Sequence, residues 1–301
     1  MIKNVDYDAL CKRVLCQKWV LARLLKTYLE EYEDCTLNEI IQLIQDPQLD
    51  VCDDFDFIET RNTEDNTGGY GRIYFDVLLY ARLPNSNQKI GMIINLEAQS
   101  YEPSYPILKR GIYYLSRLIA AQKGKSPGFR KSEYGELKKV VGIWIYNQGV
   151  KKQGMVNVYE ITEEIKGKEI HLGKEDYDLM KLVILSPKEE TDGKDEMMDI
   201  VSLLFGNKGV LAKDTLFRLE KEYGIVMTRE ESEDIEKMCN WSVYKYQQGY
   251  EDGCKATYEN SQRDFIIKML KKSMSVEIIE EITGASLVEI EKISSQLQLS
   301  H

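Results

Sequence analysis

Residues 72–100, RIYFDVLLYARLPNSNQKIGMIINLEAQS, predict two β-strands joined by a tight polar turn. The first strand, 72–83, is rich in Val, Leu, Tyr and Phe, and the second, 89–99, is rich in Ile, Met and Leu. Between them lies a Pro-Asn-Ser-Asn run of turn residues at 84–87. Each apolar strand also contains an acid, Asp76 in the first and Glu97 in the second. A carboxylate inside an apolar strand is costly without a partner.

The spacing of the two acids predicts that they meet. Asp76 lies about seven residues before the turn and Glu97 about nine residues after it, so the folded hairpin places them at about the same level. Glu97 and Gln99 are two residues apart and share one face of the strand, whereas Ala98 points to the other face. Two neighbouring carboxylates repel unless a positive charge lies between them. A divalent cation is the simplest such charge, because hard cations take carboxylate and carbonyl oxygens.

Five motifs follow one another in a fixed order, two of them within the hairpin. They are NTED at 62–65, FDV at 75–77, INLEAQ at 94–99, YPILKRGIYYLSRLIAAQ at 105–122 and KKVVGIWIYN at 138–147. With them the chain resembles the PD-(D/E)XK nuclease family transposases, which are related to the recombination-promoting Rpn nucleases. The resemblance is strongest over residues 10–190. It favours a catalytic pair over the simpler interpretation, in which Asp76 caps or ion-pairs and Glu97 ends a strand in water.

The resemblance implies a fold and an activity. The fold is α/β (α+β), with a restriction-endonuclease-like core over residues 1–190 in which helices flank a mixed central sheet. Residues 191–301 form an all-helical C-terminal region. The implied activity is a DNA endonuclease that depends on Mg²⁺, with Mn²⁺ as the alternative cofactor. The activity is linked to recombination or mobile elements.

The family motif also assigns roles to residues of this chain. Asp76, Glu97 and the backbone carbonyl of Ala98 would hold the metal. Gln99 stands where the family name has lysine, and as a neutral group it would orient the attacking water or a phosphate oxygen. Such folds often place a glutamate of the first helix near the metal. Glu31 is the better candidate in this sequence, against the alternative of a solvated side chain.

A basic segment predicts the substrate surface. Residues 103–139 contain nine Lys or Arg and two Glu, a charge of +7 within a chain whose net charge is −10. Such segregation is typical of a phosphate-binding face and predicts DNA as the partner. The predicted contacts are Lys109, Arg110, Tyr114 and Arg117, with Lys109 or Arg110 supplying the charge that Gln99 lacks. The alternative is that Ile112, Tyr113 and Leu115 are simply core residues and that residues 123–131 form a solvated loop.

Composition excludes several other classes. The chain has six Cys without a CxxC motif and only two His, His171 and His301, which argues against zinc and against histidine general-base chemistry. No signal peptide opens the chain and no apolar run approaches the length of a membrane span. A cytoplasmic protein without a membrane partner is therefore predicted.

Hydrophobic periodicity predicts the remaining elements. Helices are expected at 8–33, 35–44, 107–122, 197–205, 213–223 and 241–272, and strands at 55–61, 140–147, 154–161 and 179–186. Thr36 and Glu39 predict a capping box at the second helix, and the charged segment 187–195 predicts a loop that ends the core. The acidic cluster of Asp53, Asp54 and Asp56 predicts a solvated loop, with auxiliary metal binding as the alternative. Residues 275–293 predict helix, turn and helix. Because the second of these helices carries Glu289 and Glu291, packing or partner binding is favoured over DNA reading.

Two other functions stay open. The fold could be a catalytically weak or inactive nuclease-like module that binds DNA. It could also be a protein-interaction component that acts through the helical C-terminal third, including as a homodimer through those helices.

Overall fold

A computed structural model describes residues 7–45, 63–65, 73–84, 91–99, 105–124, 128–146, 153–167, 172–206 and 210–298. The helices are α1 Tyr7–Leu15, α2 Lys18–Tyr28, α3 Leu37–Leu43, α4 Ile107–Ala121, α5 Lys174–Tyr177, α6 Glu196–Val201, α7 Ala212–Lys221, α8 Arg229–Lys271, α9 Val276–Thr283 and α10 Leu287–Gln298. The strands are β1 Thr63–Asp65, β2 Ile73–Phe75, β3 Val77–Ala81, β4 Met92–Gln99, β5 Lys139–Tyr146, β6 Met155–Glu160 and β7 Met180–Ser186. Short 3-10 turns cover Glu30–Tyr32 and Tyr134–Glu136, and a π-helical turn, Ser202–Gly206, follows α6.

The main sheet is mixed, as predicted. Its strand order is β3-β4-β5-β7-β6, with β4, β5 and β7 parallel to one another and the two edge strands antiparallel to their neighbours. The strands β5 and β7 are buried almost throughout, which explains their nearly continuous apolar sequences. A separate two-stranded sheet joins β1 and β2.

The predicted hairpin is present, but its first strand is interrupted. The antiparallel ladder between β3 and β4 ends at Val77 opposite Leu96, and Asp76 forms a bend between β2 and β3. The amide of Asp76 donates to the Glu97 carboxylate instead of to a ladder carbonyl. Asp76, the acid that the sequence singled out in this strand, therefore lies at the point where the strand is interrupted.

Helices cover both faces of the main sheet. On one face, α1, α2, α3, α6, α7 and the first part of α8 share a large apolar core with alternate residues of the strands. On the other face, α4 packs its Tyr114, Leu115 and Leu118 against Trp144 and Leu182. The α/β arrangement with flanking helices is confirmed.

The N-terminal helices differ in detail from the prediction. The single helix expected over 8–33 is two helices and a 3-10 turn, because the chain leaves helical geometry between Leu15 and Lys18. The capping box of α3 is confirmed. The Thr36 hydroxyl accepts from the Glu39 amide, and the Glu39 carboxylate accepts from the Thr36 amide. The acidic residues 53–56 and the strand expected at 55–61 lie outside the described residues.

The first compact unit extends well past the predicted boundary at residue 190 and runs to Trp241. Buried residues of α6, α7 and α8 belong to the same core as α1 and α2, among them Met198, Leu219 and Ile235. The buried Asp199 carboxylate also accepts from the Gly193 amide at 2.7 Å, which fastens the charged loop before α6 to that helix. The helical residues 196–241 are thus part of the nuclease-like unit.

The second unit comprises residues 242–301. Within it, Ile266, Ile279, Ile290 and Ile293 form a small core where the end of α8, α9 and α10 meet. Gly284 ends α9 with a left-handed backbone, φ 66°, which is the usual conformation of a residue that terminates a helix. The predicted helix-turn-helix outline is confirmed, whereas a homodimer through these helices stays a prediction.

In the part of the chain that the structure describes, no helix combines the length and the apolar character that crossing a membrane requires.

Candidate active site

The hairpin register places Asp76 beside Glu97, as the spacing predicts. The Asp76 amide donates to Glu97 Oε1 at 3.2 Å, and the Ala98 amide donates to Asp76 Oδ2 at 3.3 Å. Glu97 is buried, with 5% of its surface exposed, and Asp76 is half-buried. The bend after β2 and the end of β4 therefore form one recess that contains two carboxylates.

A chain of buried hydrogen bonds holds Glu97 in place. Asn95 lies two residues earlier on the same face of β4 and donates from Nδ2 to Glu97 Oε1 at 3.1 Å. The indole of Trp144 on β5 donates to Asn95 Oδ1 at 2.9 Å. Asn95 is fully buried, and such a residue keeps its place only when its polar atoms are satisfied. The sequence analysis did not select Asn95, although an amide two residues before the acid on a buried strand is a detectable signal.

The environment of Glu97 favours its protonated form. Burial is the largest cause and the charge of Asp76 is the next, and together they raise the pKa of Glu97 from 4.5 to about 8. The hydrogen bonds from Asn95 and from the Asp76 amide, with the more distant charge of Arg110, oppose this shift. Because the two acids disfavour each other's charge, a cation between them would relieve the repulsion.

Two basic side chains flank the acids. Lys12 of α1 lies 3.3 Å from Asp76 Oδ1 through its Nζ, with only 8% of its side chain exposed. Arg110 of α4 lies 3.8 Å from Glu97 Oε2 through Nη2. Each acid therefore has a cationic side chain from a different helix, one from each face of the sheet.

Lys12 was not predicted as a site residue. A lysine near the end of a helix usually lies in solvent, and the chain position says nothing about which strand it faces. The local signal is that Leu15 and Cys16, three and four residues later on the same side of the helix, are buried. A lysine within an apolar stripe indicates a buried charge that needs a partner.

Aromatic rings orient Arg110. Its guanidinium donates to the hydroxyls of Tyr105 at 2.7 Å and of Tyr114 at 3.0 Å. It also faces the rings of Tyr114 at 4.8 Å and Trp144 at 5.5 Å, within the range of cation–π attraction. Arg110 and Tyr114, both predicted to contact substrate, are thus brought together at the carboxylate pair.

Other predicted residues lie elsewhere. Arg117 is buried two turns further along α4, where it donates to the Tyr113 hydroxyl at 2.7 Å, whereas Lys109 is exposed. The backbone of Gln99 lies at the end of β4, and its side chain lies outside the described residues. For Gln99 and the Ala98 carbonyl, the assigned roles stay predictions.

Glu31 is the clear correction. It lies 2.6 Å from Lys139, the first residue of β5, which pairs with Met92 at the start of β4. That position is five residues before Glu97, about 16 Å along the strand. Glu31 therefore serves an ion pair at the opposite end of the sheet, which Lys139 completes with Asp178 at 2.6 Å. The same geometry divides the basic segment, because Lys139 and its neighbour Lys138 lie at that opposite end.

The residues at the pair fit a hard divalent cation of the Mg²⁺ type. The described residues contain no cluster of three or more His, Cys, Asp or Glu suited to a metal. Two carboxylates suffice for Mg²⁺, which usually keeps several waters and takes one or two carboxylates together with substrate phosphates. The raised pKa of Glu97 and its repulsion from Asp76 are the features that such a cation would relieve.

A mixed sheet with flanking helices, one acid on β4 and a second at the bend before β3 agree with an α/β protein of the PD-(D/E)XK type. The model of the family described as PD-(D/E)XK nuclease family transposase matches residues 37–200, more than half of the 301-residue chain. The chain therefore belongs to that family, whose function is nuclease- or transposase-related. No curated protein and no solved structure matches the chain.

Proposed function

We propose that this protein is a Mg²⁺-dependent DNA endonuclease that cleaves phosphodiester bonds in recombination or in the movement of genetic elements. The observation that carries the proposal is the buried pair of Asp76 and Glu97, joined by the 3.2 Å hydrogen bond and flanked by Lys12 and Arg110. A fold alone needs neither acid at this position, and family membership supplies the reaction class.

The proposed roles follow from the contacts. Asp76, Glu97 and the Ala98 carbonyl hold the cation, for which Mn²⁺ is the alternative. When bound, the cation supplies positive charge to the phosphate and lowers the pKa of a water. Glu97 binds it as the carboxylate, so it releases a proton on binding. Asn95 fixes the rotamer of Glu97, and Lys12 holds the Asp76 carboxylate in place.

Arg110 is proposed as the phosphate contact. Its guanidinium lies at the edge of the pair, with a quarter of its side chain exposed, and Tyr105 and Tyr114 hold it there. A planar guanidinium forms two parallel hydrogen bonds to a phosphate, so Arg110 can exchange its long contact with Glu97 for the substrate. This contact supplies the positive charge that Gln99 does not, while Gln99 orients water or a phosphate oxygen as a neutral group.

A cleavage assay tests the proposal. Supercoiled plasmid is incubated with the wild-type protein, Asp76→Ala and Glu97→Ala in Mg²⁺, in Mn²⁺ and in EDTA. We expect nicking or linearisation by the wild type only, and only with a cation. Glu220→Ala, which removes an exposed acid on α7, is the matched control and should cleave as the wild type does. Cleavage that survives Asp76→Ala would overturn the assignment of the site.

A second candidate function is a nuclease-like module that binds DNA without cleaving it. The contact between Lys12 and Asp76 favours it, because a lysine beside the carboxylate already supplies part of the charge that a cation would bring. Gel-shift titrations separate the two functions. The binding module predicts that wild type and Asp76→Ala bind DNA equally and that neither cleaves it with any cation.

A further inference from the structure

The two edges of the main sheet differ in whether they are covered. Along β3, residues 43–45 run beside the strand. Ile44 forms an antiparallel bridge with Ala81, and the Arg82 amide donates to the Leu43 carbonyl at 3.0 Å. At the other edge, β6 has β7 on its inner side, and all its residues except Asn157 are exposed. The chain thus covers one edge and presents the other.

The exposed edge strand has apolar side chains on both faces. Val156 and Val158 point to one face and Met155 and Tyr159 to the other, and these four side chains are 36% to 46% exposed. The strand contains neither Pro nor Lys, the residues that commonly protect an edge from pairing with another chain. A six-residue edge of this composition favours the addition of another strand.

We propose that β6 pairs antiparallel with β6 of a second copy of this chain, joining two sheets across a two-fold axis. Such an axis lies perpendicular to the sheet, so paired residues must point to the same face. Centring the axis on Asn157 pairs Val156 with Val158 and Met155 with Tyr159, which is apolar against apolar on both faces. Centring it on Val158 would instead set Val156 against Glu160.

Charges in the flanking sequence select the same partner. Lys151 and Lys152 precede the strand, and Glu163 and Glu164 follow it. Because the basic residues precede the strand and the acidic residues follow it, antiparallel pairing of two copies favours opposite charges at each end of the paired strands. A parallel arrangement would place like charges together. The segment is therefore self-complementary in charge as well as in apolar pattern.

This dimer keeps the two catalytic pairs apart. The axis reverses strand direction, and Glu97 lies near the end of β4, so the two sites lie at opposite ends of the joined sheet. Each copy acts alone on its substrate, and the inference does not depend on the proposed endonuclease activity. Disrupting the dimer should leave cleavage per chain unchanged.

A disulfide trap tests the register. Asn157→Cys places two thiols next to the axis, where antiparallel neighbours have Cα atoms about 4.5 to 5.5 Å apart, within the reach of a disulfide. Val158→Cys is the matched control, because its two copies would lie further apart than a disulfide spans. Both are made in the full chain with Cys254→Ser, which removes the one exposed thiol among the described residues. We expect Asn157→Cys to form a dimer under mild oxidation and Val158→Cys to stay monomeric on denaturing gels. Efficient crosslinking of Val158→Cys alone, or of neither variant, would overturn the register.

Sedimentation velocity over a dilution series tests the pairing itself, because it measures the oligomeric state. We expect a dimer for the wild type and a monomer for Val158→Lys, which adds two charges to the interface. Val226→Lys, at a more exposed valine outside β6, should stay dimeric. Glu163→Lys, which reverses an acidic charge in the exposed segment after the strand, should weaken dimerisation about tenfold. A monomeric wild type, or a dimer that Val158→Lys leaves intact, would overturn the proposal.

Discussion

Lys12 Nζ lies 3.3 Å from Asp76 Oδ1, and the two residues join the first helix to the bend where the nuclease motif begins. The lysine is buried and the aspartate half-buried, so the charge of each stabilises the other. In a chain with Gln99 in the lysine position of the motif, this is the lysine that the structure brings to the carboxylates. The position of a charge in space, rather than its place in the motif, decides what it can do.

The first prediction concerns Lys12. Lys12→Met keeps the length of the side chain but removes its charge, so Asp76 loses the contact that holds it. We expect cleavage to fall by about 10² to 10³, in the range typical of removing one preorganised electrostatic group from an active site. Arg13→Met is the matched control, since it removes an ion pair with Asp234 from the next position of the same helix. Wild-type cleavage by Lys12→Met, with tighter cation binding, would show that the lysine only competes with the metal.

The second prediction concerns pH and stability without metal. The folded protein raises the pKa of Glu97 from 4.5 to about 8, so folding is favoured by the proton. This contribution is fully present below about pH 4.5 and is lost as pH rises to about 8. Glu97→Gln cannot ionise and keeps its stability through that window. At pH 8.5 in EDTA we expect it to exceed the wild type by an amount on the order of a few kcal/mol in the free energy of unfolding.

Denaturant unfolding at pH 4.5 and pH 8.5 checks the sign of this pH dependence of stability. The two proteins should differ little at the lower pH and clearly at the higher one. Glu220→Gln, which removes an exposed acid, should follow the wild type at both values. An equal response of wild type and Glu97→Gln to pH would mean that Glu97 ionises normally in the folded state.

The third prediction concerns cation binding, measured without any substrate. A cation that binds only the folded state raises the unfolding temperature, by a few degrees when its concentration is about a hundredfold above Kd. We expect Mg²⁺ or Mn²⁺ to do so for the wild type and neither to do so for Asp76→Ala. Because Glu97 must release its proton, the shift should grow between pH 6 and pH 8.5. A shift of equal size in Asp76→Ala would place the cation elsewhere.

How much of the fold and of the candidate site could be predicted from the sequence depends on whether each interaction is local or joins distant segments. The approach of Asp76 to Glu97 follows from alternation and turn position, which are local, and the structure bears it out. Lys12 was missed because its partner, Asp76, is set by packing between distant segments. Asn95 was missed although its contact with Glu97 is local, and only its bond to Trp144 joins distant segments. Glu31 was placed at the wrong end of the sheet because its helical position fixes a face of the helix but not the strand end it meets. Its true partner, Lys139, is 108 residues away.

The fourth prediction concerns the hydrogen bonds that connect Trp144 through Asn95 to Glu97. Asn95→Leu fills nearly the same volume but leaves the Trp144 indole without its acceptor and removes one of the two donors to Glu97 Oε1. An unsatisfied buried donor costs about 1 to 3 kcal/mol, so we expect that loss in unfolding experiments. We also expect weaker cleavage, because Glu97 is no longer held. Trp144→Phe is the comparison, since it removes the distal bond and part of the ring that faces Arg110 but leaves Asn95 on Glu97. Cleavage should survive better in Trp144→Phe, and the reverse order would argue that Asn95 only packs.

The last prediction concerns where the nuclease-like unit ends. The charged loop at 187–195 suggested a boundary, but α6 and α7 bury Met198, Ile200 and Leu219 in the core shared with α1 and α2. A protein ending at residue 195 loses these side chains, and burial of each is worth about 1.5 to 3 kcal/mol, so their sum is comparable with the whole stability of a domain. We expect residues 1–195 to show no cooperative unfolding and residues 1–241 to unfold cooperatively with the cation response of the full chain. Calorimetry of both truncated proteins shows which of them unfolds cooperatively. A folded 1–195 fragment would show that the helical region only rests on the core, whereas an unfolded 1–241 fragment would mean that α8 needs its second half.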